Sequence, residues 1–329
     1  MTTSIAFSPA VLDLNLAVET DRICESIRAQ VTRDLKRRGI VLGLSGGIDS
    51  TVCAALAARA LGANRVIGLF MPEEDSSPDS LELGQTVASW LGIRSFVENI
   101  TPLLEGAGCY RRRDEAIRGV IPEYTSAYKS KVVLPPATQG TYNISSIVVQ
   151  SPDGVQQQKR LPLDAYLGIV AATNFKQRVR KMMEYYYADR FNYAVLGTPN
   201  RLEYDQGFFV KNGDGAADIK PIAHLYKTQV YKLAEYLDAP ADIRRRPPTT
   251  DTYSLAQSQE EFYFALPYHQ LDLCLYGYNH GVPAEAVAPH VNLKAADVEL
   301  VYKDIRTKRT TTHYLHERPL LVDPVDLSF

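Results

Sequence analysis

The stretch Ser45–Ser50, which reads SGGIDS, combines residue types that suit a phosphate-binding turn. It follows the apolar run Val41–Leu44 and precedes an alanine-rich segment. A glycine-rich turn that opens a helix directs several backbone N–H groups, and the positive end of the helix dipole, toward one point. Asp49 in such a turn would repel a bare phosphate, which favours a divalent cation between the two. The stretch therefore predicts a site for a phosphorylated ligand and a cation.

An ordinary strand–turn–helix junction, capped by serines, is the alternative interpretation of Ser45–Ser50. The stretch lacks the lysine of a Walker A loop and the spacing of a dinucleotide-binding GxGxxG loop. SGGIDS after an apolar strand resembles the pyrophosphate loop of the N-type ATP pyrophosphatases. That resemblance implies cleavage of ATP between its α- and β-phosphates and adenylation of a carboxylate or carbonyl oxygen.

A basic stretch at 174–180, which reads NFKQRVR, lies in a predicted helix. On a helix, Asn174, Arg178 and Lys181 share one face, whereas Lys176 and Arg180 share another. Taken alone, this pattern is also typical of a solvated basic helix.

A second carboxylate follows the segment Gly197-Thr198, at Glu203, and a loop rich in glycine and acid spans Gly207–Ile219. Glu203 could supply the second carboxylate to a cation held by Asp49. Magnesium needs only one or two protein carboxylates when substrate phosphates complete its shell. A charged surface loop is the alternative.

Lys227 opens a predicted helix within His224–Val230. A cation is unfavourable at the N-terminal end of a helix dipole, and a nearby phosphate would relieve this. An idle surface lysine is the alternative, because the cost at an exposed position is small.

Apolar strands alternate with helical segments along much of the chain, which predicts βαβ units and an α/β fold. The fold class is a doubly wound parallel sheet with helices on both faces, and its ligand is expected at the carboxyl ends of the strands. The predicted strands are Val41–Leu44, Arg65–Met71, Ser95–Asn99 and Tyr193–Leu196. The predicted helices between them are Thr51–Leu61, Asp79–Leu91 and Leu167–Arg190.

Residues 110–162 interrupt this alternation and are interpreted as an insertion within a single domain of residues 1–329. The turn Ser151–Gly154 lies between two β-prone runs and predicts a β-hairpin. The run Arg111–Arg113 is interpreted as a solvated face. Residues from about 260 to 329 are expected to form a helical C-terminal extension, with a helix near Lys294–Arg306 and a loosely structured tail.

Composition excludes several classes of protein. The chain has 329 residues and a formal net charge of −2, which gives no general attraction to nucleic acid or anionic membrane. Its four cysteines are scattered without a CxxC pair, so neither a zinc site nor a disulfide framework is indicated. With no signal peptide and no membrane-length apolar run, the expected location is the cytoplasm.

The later stretches together resemble the ammonia-dependent NAD synthetase family over Ile40–Leu91 and Asn174–Asp272. GFFVKNGDGAADIKPI, LYKTQV and PPTTD are the specific segments. The resemblance implies an adenine nucleotide alpha-hydrolase-like fold, usually as a homodimer. It implies these ATP-binding positions: Ser45, Gly46, Gly47, Asp49, Ser50, Thr198, Lys227 and Thr249. It implies these deamido-NAD-binding positions: Arg178, Lys211, Asp218 and Lys308. It also implies Mg²⁺ ligands at Asp49 and Glu203, and catalytic roles for Asp49 and Lys227.

The chemistry implied by the resemblance has two steps. The nicotinate carboxylate of deamido-NAD attacks the α-phosphate of ATP and releases pyrophosphate, and ammonia then displaces AMP to give NAD. Because Met1–Leu44 is too short for the glutaminase domain of longer members, free ammonia or a separate glutaminase partner is the expected nitrogen source.

Some positions depart from the family pattern on the acyl-substrate side. Pro199-Asn200 stands where bacterial members tend to have Asp-His, and Thr307-Lys308 stands where the family has His-Lys. These departures leave two alternatives, namely a related ligase that amidates a different small carboxylate and a catalytically idle nucleotide-binding homologue.

Overall fold

The apolar run before the glycine-rich loop forms the first strand of a parallel sheet. The structure is a computed structural model that describes residues 7–133, 145–247, 252–257, 263–264 and 266–326. Its strands are β1 (Ile40–Gly43), β2 (Val66–Phe70), β3 (Arg94–Val97), β4 (Lys129–Val133), β5 (Ser146–Gln150), β6 (Gln156–Arg160) and β7 (Ala194–Val195). The main sheet has the order β3-β2-β1-β7, and all its neighbouring strands are parallel. The predicted parallel sheet is confirmed.

Helices cover both faces of this sheet. They are α1 (Leu16–Ala29), α2 (Ile48–Leu61), α3 (Pro78–Leu91), α4 (Thr101–Gly106), α5 (Cys109–Arg118), α6 (Leu163–Phe191), α7 (Arg201–Gln206), α8 (Lys227–Tyr236), α9 (Ala241–Arg245), α10 (Tyr268–Asn279), α11 (Ala284–Val291) and α12 (Ala295–His316). Side chains alternate across the strands: Ile40 and Leu42 join a core with α1, α2, α3, α8 and α9, whereas Val41 packs with α4, α5 and α6. Apolar strands buried on both faces are typical of such sheets, and the doubly wound fold class is confirmed.

The predicted hairpin is present, with one additional strand. β5 and β6 pair antiparallel around the Ser151–Gly154 turn, and β4 pairs with the other edge of β5. We propose that the 110–162 block belongs to the same domain as the main sheet, because Tyr110 shares a buried cluster with Val41.

Three local predictions need correction. The helix after the glycine-rich loop begins at Ile48 and not near Thr51, because Gly47 already serves as its N-cap. Arg113 is buried and ion-paired with Asp75 and Asp114, so only Arg111 and Arg112 of the basic run are exposed.

The C-terminal helix predicted to end near Arg306 extends to His316 as α12, and residues 317–326 then lack regular structure. Ile305 is buried just before the predicted end, and the buried Lys308 continues the packed face of the helix beyond it. The cluster of α10, α11 and α12 forms a separate core that also includes Leu12, Leu202 and Tyr226.

Candidate active site

A cavity of about 560 Å³ opens at the carboxyl ends of β1, β2 and β7. Its wall includes the glycine-rich loop, the loop after β2, the inner face of α6 and the segment after β7. This volume falls within the range of small-molecule sites, and the position is where doubly wound sheets bind their ligands. The cavity is therefore the candidate active site.

The glycine-rich loop has a tightly defined backbone. Gly46 has a φ of +71°, and a Cβ atom there would lie 2.6 Å from the Cβ atom of Leu83, so only glycine fits. The Gly47 N–H donates to Ser45 Oγ at 3.2 Å, and the Gly47 carbonyl accepts from the hydroxyls of Ser50 at 3.0 Å and Thr51 at 2.9 Å. These bonds fix the entrance to α2, whose N-terminus borders the cavity.

Asp49 lies in the first turn of α2, where the helix dipole favours a carboxylate. Its Oδ2 atom is ion-paired with Lys227 Nζ, and its Oδ1 atom accepts a hydrogen bond from Asn200 Nδ2 at 3.1 Å. Asp49 lines the cavity, whereas Lys227 lies behind it and is fully buried. The fold thus brings together two residues that are 178 positions apart in the chain.

Carboxylates stabilise the buried ammonium of Lys227. Burial opposes its charge, but Asp49 and Glu203 outweigh that effect and raise the pKa of Lys227 above its ordinary value. Lys227 is the first residue of α8, the end at which the helix dipole disfavours a cation. Asp272 offsets this, because its carboxylate accepts from the backbone N–H groups of Lys227 at 3.3 Å and Thr228 at 2.8 Å.

Asp272 is expected to make the stability of the protein depend on pH. Burial raises the pKa of its carboxyl to about 6, even though the hydrogen bonds from Thr228 and Lys227 and the charge of Lys227 oppose the shift. Between about pH 4 and pH 6 the folded protein therefore holds this proton more tightly than the unfolded chain does. The contribution of Asp272 to the free energy of unfolding therefore falls as pH rises from about 4 to about 6. Above about pH 6 the protein bears the full cost of burying the ionised Asp272 carboxylate.

Asp272→Asn removes this titration. We expect the free energy of unfolding of the unaltered protein, relative to the variant, to fall by up to about 3 kcal/mol between pH 4 and pH 7. Urea unfolding of both proteins at several pH values measures the difference, in which the other titrating groups cancel. A difference that is constant with pH would contradict the assignment.

Asn200 joins the two predicted metal ligands. It is fully buried and forms a capping box with Glu203 at the start of α7. The Glu203 N–H donates to Asn200 Oδ1 at 3.3 Å, and Glu203 Oε2 accepts from the Asn200 N–H at 3.1 Å. Because the Asn200 side chain also donates to Asp49, one residue orients both carboxylates. The position that departs from the family pattern therefore has a structural role here.

Asn200→Ala is expected to remove a helix cap and free both carboxylates. The cost is about 1–2 kcal/mol in the free energy of unfolding, and turnover should fall at least about tenfold because orientation is lost. Asn200→Asp keeps an acceptor for the helix cap but adds a third carboxylate next to Asp49 and Glu203. It should therefore lose turnover, but it should lose less stability than Asn200→Ala. Urea unfolding and the initial rate of pyrophosphate release separate the two effects. Normal turnover in Asn200→Asp would contradict this role.

The donors present fit a hard divalent cation. Asp49 and Glu203 both line the cavity, and a carboxylate has about four acceptor positions. Asp49 uses two of these for Lys227 and Asn200, which leaves capacity for a cation. No cluster of three or more potential metal ligands occurs among the residues that the structure describes, so phosphate oxygens and water would have to complete the shell.

Arg178, Lys211 and Thr198 also line the cavity. The Arg178 Nε–H donates to the Lys211 carbonyl at 3.3 Å, and Lys211 Nζ donates to the carbonyls of Tyr314 at 2.6 Å and Glu317 at 3.2 Å. The end of α12 thereby holds Lys211 beside the cavity. Tyr314 belongs to the part of α12 that lies beyond its predicted end, so the predicted shorter helix would not have made this contact.

Asp218 and Lys308, by contrast, lie outside the cavity wall. The exposed Asp218 carboxylate accepts from the Val195 N–H at 2.7 Å and from the Tyr185 hydroxyl at 3.3 Å. Lys308 is buried, pairs with Asp304 at 2.7 Å and donates to the Tyr263 carbonyl at 2.8 Å. Thr249 lies outside the described residues.

Sequence reasoning gives no site role to several charged residues that line the cavity. Lys181 and Glu184 form a buried ion pair at 2.6 Å on α6, and Arg246 donates to Ser80 Oγ at 3.2 Å. The i, i+3 spacing of Lys181 and Glu184 is a signal for their pairing, but their burial is not visible in the sequence. The alternative interpretation of 174–180, a solvated basic helix, is wrong for Lys176, which is 1% exposed.

A family model described as NAD synthase matches residues 19–116 and 128–314. The chain belongs to the NAD synthase family. It is 60% identical over 323 residues to an NH(3)-dependent NAD(+) synthetase of Rhizobium meliloti, covering 98% of this chain and 96% of that protein. It is 36% identical to an NH(3)-dependent NAD(+) synthetase of Thermotoga neapolitana, covering 72% of this chain and 77% of that protein.

Solved structures show the same fold. The NMN synthetase of Francisella tularensis matches with a TM-score of 0.63 and 23% identity, over 94% of this chain and 99% of that one. The NH3-dependent NAD synthetase of Campylobacter jejuni, in complex with nitrate, matches with a TM-score of 0.61 and 21% identity, over 94% of this chain and 100% of that one. The fold is the adenine nucleotide alpha-hydrolase fold of NAD synthetases.

Proposed function

We infer that this chain is an ATP-dependent amide-forming ligase that converts deamido-NAD, ATP and ammonia into NAD, AMP and pyrophosphate. The observation that carries this inference is the meeting of Asp49, Glu203 and Lys227 beside the glycine-rich loop. It occurs in a chain that is 60% identical, over nearly its full length, to an NH(3)-dependent NAD(+) synthetase. An idle homologue would have no need of this arrangement.

The reaction requires positioning and charge stabilisation more than a side-chain nucleophile. A carboxylate oxygen of the nicotinate attacks the α-phosphorus of ATP, and the bond to the oxygen that bridges to the β-phosphate breaks. Ammonia then attacks the acyl carbon, AMP leaves with the bonding electron pair, and a proton is lost. We propose that the α2 N-terminus and the N–H groups of Ser45–Ser50, other than that of Gly47, bind the phosphates, where they would stabilise the developing negative charge.

Lys227 and the proposed metal ligands complete the ATP side. We propose that Asp49 and Glu203 hold Mg²⁺, which when bound would neutralise charge on the phosphates. Lys227 orients Asp49, and it supplies a fixed positive charge behind the loop. We propose that Arg178 and Lys211, which also line the cavity, bind the acidic dinucleotide substrate.

We also propose a homodimer in the cytoplasm, with ammonia supplied free or by a separate glutaminase. Exposed apolar side chains support association: Val97 lies on the edge strand β3, and Met182 and Tyr186 lie on α6. Among the described helices, none is both long and apolar enough to cross a bilayer. Sedimentation of the purified protein at micromolar concentration would test the dimer.

The test of the reaction is incubation with Mg-ATP, ammonium and deamido-NAD, followed by quantification of NAD, AMP and pyrophosphate. All three products should form in equal amounts. A parallel reaction with nicotinate mononucleotide should release much less pyrophosphate. Faster turnover of the mononucleotide would assign the ligase to a different carboxylate, and no pyrophosphate with either acid would contradict ligase activity.

A further inference from the structure

Lys176 is a buried lysine of α6 that the proposed mechanism does not use. Its side chain is 1% exposed, and its Nζ atom contacts Asp75 Oδ2 at 2.6 Å, Glu73 Oε1 at 3.0 Å and the Thr252 carbonyl at 2.8 Å. The Lys176 ammonium thus donates hydrogen bonds to Asp75 and to the Thr252 carbonyl, and it forms an ion pair with Glu73. We call Lys176, Glu73, Asp75 and the Thr252 carbonyl the Lys176 clasp.

The acceptors in the Lys176 clasp come from two separate segments that border the cavity. Glu73 and Asp75 lie in the loop between β2 and α3, whose Ser76 and Ser77 line the cavity. Thr252 lines the cavity as well and begins the described segment 252–257. Lys176 itself lies behind this wall, so it joins the two segments without forming part of the cavity surface.

The loop between β2 and α3 continues directly into the helix that packs on the glycine-rich loop. Within α3, Ser80, Leu83 and Gly84 closely approach Gly46. A displacement of the loop would thus shift the surface against which the phosphate-binding turn is packed. The Lys176 clasp therefore lies on the ATP side of the cavity, whereas Lys211 lies near the end of α12.

A second buried cation reinforces the same loop from α5. Arg113 is ion-paired with Asp75 and also pairs with Asp114 at 2.9 Å. The Tyr110 hydroxyl, on the same helix, donates to Glu73 Oε2 at 2.8 Å. A buried network of this kind is weak evidence for a gain in stability, because desolvation offsets much of the attraction. Its specific geometry is better explained by a requirement for position.

We propose that Lys176 is a positioning residue for ATP, which fixes the β2–α3 loop and the 252–257 segment against each other on the ATP side of the cavity. The proposal rests on the proposed function, which places ATP at the glycine-rich loop. The Lys176→Met variant removes the ammonium while keeping an apolar stem of similar length. It should raise KM for ATP at least about tenfold while changing KM for deamido-NAD less than about threefold.

A charge-balanced variant separates positioning from the balance of buried charge. Lys176→Met combined with Glu73→Gln removes one buried charge of each sign, so it should recover most of the melting temperature lost in Lys176→Met. The KM for ATP should stay high, because the link to Thr252 remains broken. Lys176→Arg, which can still reach both segments, should recover part of the ATP affinity. Lys303→Met on the exposed face of α12 is the matched control and should behave like the unaltered protein.

The outcomes are distinct. Recovery of the KM for ATP in the charge-balanced variant would show that Lys176 only balances charge, and equal increases in both KM values would exclude a role specific to ATP. If Lys176→Met does not fold, the charge-balanced and Lys176→Arg variants decide by the same criteria. Calorimetry with α,β-methylene-ATP tests the Lys176 clasp independently of the acyl substrate, so a failure of the NAD assignment would leave this test intact.

Discussion

Asp49→Asn is expected to slow pyrophosphate release by at least about a thousandfold. Asparagine nearly preserves the shape of the side chain but removes the charge that pairs with Lys227 and that we propose to bind Mg²⁺. The amide also has an NH2 donor in place of one carboxylate oxygen. Whichever way the amide is turned, this donor faces either Lys227 or Asn200, which are themselves donors, so neither orientation satisfies both. Rapid-quench measurement of pyrophosphate in the first turnover would report this step directly.

The exposed pair of Asp13 and Lys232 provides a control within the same chain. These residues interact at 2.9 Å, but their side chains are 66% and 50% exposed. Asp13→Asn should leave pyrophosphate release unchanged, since an exposed ion pair contributes little. If Asp49→Asn retained turnover within about tenfold of the unaltered protein, the two-carboxylate cation site would be wrong.

Lys227→Met is the second variant for which we expect a large effect. It should lower kcat by about a hundredfold to a thousandfold, because it removes a fixed positive charge and the partner that orients Asp49. Breaking a buried ion pair by removing one partner also costs about 3–5 kcal/mol of stability. Turnover should therefore be measured at a temperature at which circular dichroism shows the variant to be folded.

Lys232→Met, on the same helix α8, is the matched control for Lys227→Met. A double-mutant cycle of Asp49→Asn with Lys227→Met should reveal strong coupling in kcat, because the two side chains act as one unit. The corresponding cycle for Asp13 and Lys232 should give a coupling near zero. Additive effects of Asp49→Asn and Lys227→Met would contradict a shared role.

Local patterns in the sequence determine much of the fold. β1, β2 and the helix α2 between them follow from apolar runs, helical spacing and the glycine that ends the helix, Gly62. These signals depend on neighbours in sequence, so they are visible there. Helix boundaries follow less directly from such patterns. Asp49 lies in a helix and not in the preceding turn, because Gly47 is already the N-cap of α2.

The sequence by itself also predicted the glycine-rich loop as a phosphate site, and most of the residues that the resemblance assigns to the site line the cavity. Only the tertiary structure decided how those residues are supported. The contacts of Asp49 with Lys227, of Lys227 with Asp272 and of Lys176 with Thr252 join residues between 45 and 178 positions apart. The run Arg111–Arg113 is predicted to be solvated, and a solvated helix is an alternative for 174–180. Only packing shows that Arg113 and Lys176 are buried against Glu73 and Asp75. Burial and long-range pairing depend on how distant segments meet, which no local spacing encodes.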